Sequence, residues 1–190
     1  MIVDNQTTLE IFASRYLDTL TALELIDWLD DINPEVRTLV ARKLHCKGTK
    51  EVFDLAKNWS ISTVYYQREI AAFILGQLGC LFEYKYPFKT ESKPILINLI
   101  NDENSEVRAA AVAACGHLYI EGLDTDLENL ILEQSNDDCT QVRISVAITL
   151  GNSSGSESVR QVYADYLEDD EIAEWAEVGL EILENRLNKS

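Results

Sequence analysis

Two histidines, four cysteines and a large set of carboxylates are the side chains of this chain that could do chemistry. Of the histidines, His45 has no acidic neighbour at helical spacing, and His117 has only Glu121, four residues on. A helix can present such a pair to one metal ion, but a zinc or iron site needs three or four converging donors. Cys46, Cys80, Cys115 and Cys139 lie 34, 35 and 24 residues apart with no CxxC pair, so they read as buried or half-buried thiols in a reducing compartment. No GxSxG, Walker-type loop or GxGxxG occurs, and GNSSG at 151–155 reads as a helix C-cap and loop. Nucleophile, base and oxyanion donor do not converge in any pattern, which predicts a non-enzyme without cofactor or metal.

The carboxylates speak to partners. Against 16 basic residues stand 33 acidic ones, a formal net charge of -17 that repels nucleic acid and anionic membranes. Residues 121–190 hold 17 Asp and Glu against Arg143, Arg160, Arg186 and Lys189, so most of the imbalance sits there. Glu174, Glu177, Glu181 and Glu184, led by Asp170 and Glu171, recur every three or four residues and share one helix face, where like charges are mutually unfavourable. Together with Asp137 and Asp138 they predict a surface that steers a basic protein toward it. A second candidate surface is LFEYKYPF at 81–88, whose Phe82, Tyr84 and Tyr86, with Phe88, either form an aromatic binding loop or fold back over a gap in the core.

These side chains need positioning, and the chain repeats to supply it. PEVRTLVARKLH (34–45), YYQREIAAFILG (65–76), SEVRAAAVAACG (105–116) and TQVRISVAITLG (140–151) align without gaps. Each carries Arg (Arg37, Arg68, Arg108, Arg143), apolar residues three, four and seven later, and Gly or His45 at the eighth, which makes an amphipathic helix. DEIAEWAEVGLEIL (170–183) is a fifth, degenerate copy with Ala173 in the Arg position and Glu177 four residues on. Before each copy runs another apolar-periodic stretch, at 22–29, 50–59, 93–100, 127–134 and 158–167. Polar turns DDINP, NDENS and NDDCT join three of the pairs and offer N-caps, with Pro34 in a first turn. In the second pair the turn Asp is missing, which leaves its geometry open.

The phrases DDINPEVR, NDENSEVR and NDDCTQVR, each leading into a helix of small or branched residues, resemble HEAT repeats, over roughly residues 20–187. The resemblance implies an all-α, right-handed solenoid of about five helix pairs in one domain spanning 1–190: a capping helix at 1–20, repeats at 21–169, and a last helix and cap at 170–187. It also implies a structural role for the four arginines, each paired with the turn Asp of its own or the adjoining unit, as Arg37 with Asp30 or Asp31, Arg108 with Asp102, and Arg143 with Asp137. Leu9, Phe12, Tyr16 and Leu20 are expected to face inward from the first helix, Trp175 from the last, and Trp28 and Trp59 to anchor the core. His45 and His117 are expected to face carbonyls at helix ends.

Absence of a basic start and of a long apolar run predicts a cytoplasmic protein. The expected function is binding of a basic protein, in concrete form an immunity protein that neutralises a cationic nuclease toxin of a contact-dependent inhibition system; HEAT-like folds are similar to some such proteins. The alternative is a HEAT scaffold or a relative of the phycobilin lyases, with Ala109, Ala110 and Ala113 leaving room for a chromophore in the groove.

Overall fold

The computed structural model describes residues 5–81 and 85–188, with side chains from residue 11 onward. The regular elements among them are helical: α1 (Asn5–Asp18), α2 (Ala22–Ile26), α3 (Pro34–Leu44), α4 (Lys50–Trp59), α5 (Tyr65–Gln77), α6 (Lys89–Ile100), α7 (Ser105–Leu118), α8 (Thr125–Glu133), α9 (Thr140–Thr149), α10 (Glu157–Leu167) and α11 (Ala173–Leu187). Single 3-10 turns at 45–47, 134–136 and 150–152 extend α3, α8 and α9. From α2 onward the helices pair as the repeats predict. Successive second helices (α5, α7, α9, α11) pack on one another far more extensively than successive first helices do, which makes them the inner layer of an α-solenoid.

Composition explains the difference. The second helices are buried on several sides: α7 buries Val107, Ala109, Ala111, Val112, Ala114, Cys115 and Leu118, whereas the first helix α4 buries only Val52, Phe53 and Ala56. Glycine at the eighth position after each Arg is what lets the inner helices approach. A Cβ on Gly76 would lie 2.5 Å from Ala114, one on Gly116 2.8 Å from Thr149 Oγ1, and one on Gly151 2.8 Å from Ile182. His45 takes this place in α3 and meets Phe73 edge to face with 5.5 Å between centroids, so α3 and α5 touch less. Burial pushes the His45 imidazole below its usual value, and it hydrogen-bonds the backbone of Gln77, at the end of the next inner helix rather than of its own.

The turns carry a ladder. Asp31, Asp102, Asp137 and Asp169 each accept the N–H two residues on, at 2.7–3.0 Å. In the second unit the Ser62 hydroxyl does the same for Val64 at 3.1 Å, so that turn keeps its geometry without a carboxylate. Each arginine donates Nη1 to the carbonyl six residues before it: Asp31, Ser62, Asp102 and Asp137, at 2.7–2.9 Å. Its remaining nitrogens reach forward. Arg68 forks Asp102 at 2.7 and 2.8 Å, and Arg108 forks Asp137 at 2.7 and 2.9 Å. Arg143 sits looser, 3.6 Å from Asp169 and 3.9 Å from Glu171. Arg37 faces the Ser62 turn, which offers no carboxylate, and lies over the Tyr66 ring at 4.3 Å. The arginines thus meet other groups than those the repeats suggest: Arg108 and Arg143 take the Asp of the following turn, and Asp30 accepts from Tyr66 and Gln67 instead of Arg37.

The two ends of the stack depart from the expected inward faces. Phe12 and Tyr16 on α1 are exposed, at 64% and 54%, while Leu17 and Leu20 face the core. The Leu9 side chain lies outside the described residues. Trp28 and Trp175 are also exposed, and Trp59, the one at an irregular turn, packs against the core. Trp28 and Trp175 sit on the first and last helix pairs, which have a neighbouring pair among the described residues on one side only.

Candidate protein interface

The last helix reaches the inner layer by a shortened turn. Asp169 precedes Ala173 by four residues, whereas Asp102 precedes Arg108 by six. The helical register is kept all the same: Ile172, Ala176, Gly179 and Leu183 are buried at the places of Val107, Ala111, Ala114 and Leu118 in α7. Gly179 is what fits α11 onto α9, since a Cβ there would stand 2.1 Å from the Ala147 carbonyl. The buried Tyr163 hydroxyl donates to that same carbonyl at 2.8 Å.

This register gives the acidic stripe a structural address. In α5, α7 and α9 the fourth and eighth residues after the Arg position (Ala72 and Gly76, Val112 and Gly116, Ala147 and Gly151) form the edge that meets the next inner helix. In α11 the same two places are Glu177 and Glu181, both exposed. Glu174 and Glu184 flank them on the same side and are exposed as well. Against these carboxylates α11 carries one basic residue, Arg186. Around the helix from them, toward the inner face, Trp175, Val178 and Ile182 form an apolar stripe exposed at 42%, 42% and 37%.

The other sequence-predicted residues divide. Glu171 is exposed but tied to the preceding unit, accepting from the Thr140 hydroxyl at 2.9 Å. Asp137 leaves the docking set, because both its carboxylate oxygens are taken by Arg108 and its side chain is 7% exposed. Asp138 is exposed and, with Asp165 and Asp169, rims a cleft of about 370 Å³ around Arg143. Tyr86 is half-buried against the core with a left-handed backbone at φ 54°, and Phe88 stacks on Phe53 at 4.6 Å. For these two, the loop folds back over the core rather than reaching outward. Phe82 and Tyr84 lie outside the described residues. Ala109 is turned into the core, and Ala110 and Ala113 are half-buried on the inner face.

Among the described residues no group of three His, Cys, Asp or Glu side chains could hold a metal ion, and no helix is long and apolar enough to cross a membrane. Cys46 and Cys80 both lie against the His45 ring, at 3.7 Å from its nearest nitrogen, and Cys115 is buried with its thiol pushed up to about 12 by desolvation.

A buried clamp at Glu128 was not among the residues singled out from the sequence. That carboxylate accepts from Ser154 N–H at 2.6 Å, Ser154 Oγ at 2.8 Å and Ser156 Oγ at 3.0 Å, which ties the loop after α9 to α8. The available signal was its place in α8, next to Leu127 and three residues before Ile131, on the side of the helix that is buried.

Residues 93–181 match the family model described as HEAT repeats. The fold is an α-solenoid, and its part from 93 to 181 matches HEAT repeats. The solved structure of YibA from Escherichia coli superposes on it with a TM-score of 0.56 at 22% identity, covering 95% of this chain and 79% of that one. At that identity the likeness speaks for the fold. No curated protein matches the chain in sequence. In this solenoid the exposed features that stand out at the C-terminal end are the carboxylates and apolar stripe of α11.

Proposed function

We propose that this HEAT solenoid binds a basic protein through its acidic C-terminal unit, and that it serves as an immunity protein whose carboxylates occupy the cationic cleft of a nuclease toxin. The observation that carries the reading is the substitution of Glu177 and Glu181 for the small residues that elsewhere seat the next helix. A nuclease must present positive charge to bind phosphates, and a rigid row of carboxylates is a substitute for them. The stack behind α11 supplies the rigidity, since Gly179 and Tyr163 fix it against α9. Field and shape therefore favour a basic protein over nucleic acid or an anionic bilayer, which the net charge of -17 repels.

Coexpression with the neighbouring reading frames tests this. A basic partner whose nuclease activity falls on complex formation, and which is released as ionic strength rises and screening shortens the reach of the field, is the expected result. A partner that is acidic, or binding indifferent to salt, contradicts the proposal.

A further inference from the structure

Among the described residues α11 is the last inner helix, but the packing rule of the stack extends past it. Each inner helix presents a next-helix edge through its fourth and eighth residues, and each is covered there: α5 by α7, α7 by α9, α9 by α11. Among the described residues nothing covers the corresponding edge of α11, a helix of 15 residues. Its occupant must meet Glu177 and Glu181 where earlier edges offer Ala or Val and then Gly, with Glu174 and Glu184 to either side.

Charge selects that occupant. A second copy of this chain laying its own α11 there would set two rows of glutamates against each other. A sixth HEAT-like helix of the ordinary kind, with small apolar residues on its contact face, would bury the carboxylates without partners, and desolvation of unpaired charge disfavours that. A helix with Lys or Arg at three- and four-residue spacing pairs with the glutamates instead. The stripe of Trp175, Val178 and Ile182 beside them gives such a helix apolar contacts as well, so the partner segment must be amphipathic and basic.

We infer that α11 docks a basic amphipathic helix of its partner as a sixth inner helix of the stack, with cations against Glu177 and Glu181 and apolar anchors against Val178 and Ile182. This rests on the proposed function and specifies how the partner is held. The surface combines an exposed apolar stripe with charge complementarity and continues the stacking geometry of the earlier repeats.

A synthetic Leu–Lys amphipathic helix of about 15 residues, long enough to lie along α11, is the probe, and calorimetric titration is the measurement. Glu177→Lys/Glu181→Lys is expected to weaken binding by about tenfold or more, because attraction becomes repulsion at the contact. Val178→Ala/Ile182→Ala is expected to weaken it by about fivefold through lost apolar area. Glu157→Lys/Glu168→Lys changes net charge equally on exposed sites away from this edge and is expected to change affinity by less than about twofold at moderate salt. All these positions are exposed or nearly so, and circular dichroism with a thermal melt verifies that each variant folds. Equal loss for both charge-reversal pairs would show that affinity follows net charge and would overturn the docking site, as would no loss for either or no binding by the folded wild type. A native basic partner held equally well by Glu177→Lys/Glu181→Lys would overturn this inference and leave the proposed function standing. A native partner that is acidic, with the peptide still seated on α11, would do the reverse.

Discussion

From α5 to α11 the solenoid is stacked through glycine, joined as far as α9 by the arginine fork, whereas at the step from α3 to α5 it has neither. Gly76, Gly116 and Gly151 let the inner helices of the C-terminal part approach to backbone distance, and Arg68 and Arg108 bridge their units to Asp102 and Asp137. At the N-terminal step His45 stands in the glycine position and Arg37 rests on Tyr66 for want of a carboxylate. One helical pattern therefore supports two grades of interface, and single residues at the eighth position and in the turn decide which. It also follows that the acidic edge of α11 is carried by the closely stacked part. The apolar residues left exposed on α1 and α2, Phe12, Tyr16 and Trp28, belong to the looser one.

The comparison breaks most visibly at Asp137. Asp137→Ala strands a largely buried guanidinium and removes the turn's N–H acceptor, with an expected loss of about 3 kcal/mol in urea unfolding. Asp31→Ala, which removes the turn acceptor alone, is expected to cost about 1 kcal/mol. Similar losses for both would mean that the fork adds nothing.

Gly76→Leu comes next, at about 2–3 kcal/mol, since the added side chain meets the Ala114 backbone and forces the helices apart. His45→Leu, a change of similar volume at the equivalent place, is expected to cost less than about 1.5 kcal/mol. A tolerated Gly76→Leu would remove close approach from the account.

Acid sharpens the same contrast. Burial alone would raise the Asp102 and Asp137 carboxyls, but the arginine forks and backbone N–H groups outweigh it and hold both below the usual carboxylate value. A group lowered in the folded state gives stability that is fully present above its unfolded value of about 3.9 and is lost as pH falls through the folded value. The stability difference between wild type and Asp137→Asn is thus expected to stay level above about pH 4 and to shrink below it. A difference that grows toward acid would contradict the sign.

A small effect, like that of Asp31→Ala, is expected at Arg37→Ala. Its half-exposed cation over Tyr66 and two carbonyl contacts are worth about 1 kcal/mol together. A loss matching that of Asp137→Ala would erase the distinction between the halves.

Sequence alone made the helix pairs, the turns and the register legible, because Arg, the apolar positions and Gly recur at fixed offsets. Even the degenerate copy could be aligned, with Ala173 and Glu177 at places that the buried residues of α11 confirm. What stayed illegible was which turn each arginine grips, since Asp102 lies six residues before Arg108 in the chain and only stacking brings Asp137 within 2.7 Å. Faces of the end units were misread for a related reason: helical spacing marks Phe12, Tyr16 and Trp175 as apolar but does not say that a neighbour is there to cover them. The exposure of the glutamate stripe was readable from its spacing, whereas its position on the stacking edge required the contacts of Gly76, Gly116 and Gly151.

Amide hydrogen exchange followed helix by helix tests the central contrast most directly. Slowest exchange in α7 and α9, with α11 nearer to them than to α2 and α3, is what unequal stacking predicts. Uniform protection from α2 to α11, or a last helix that exchanges as fast as the first, would contradict it.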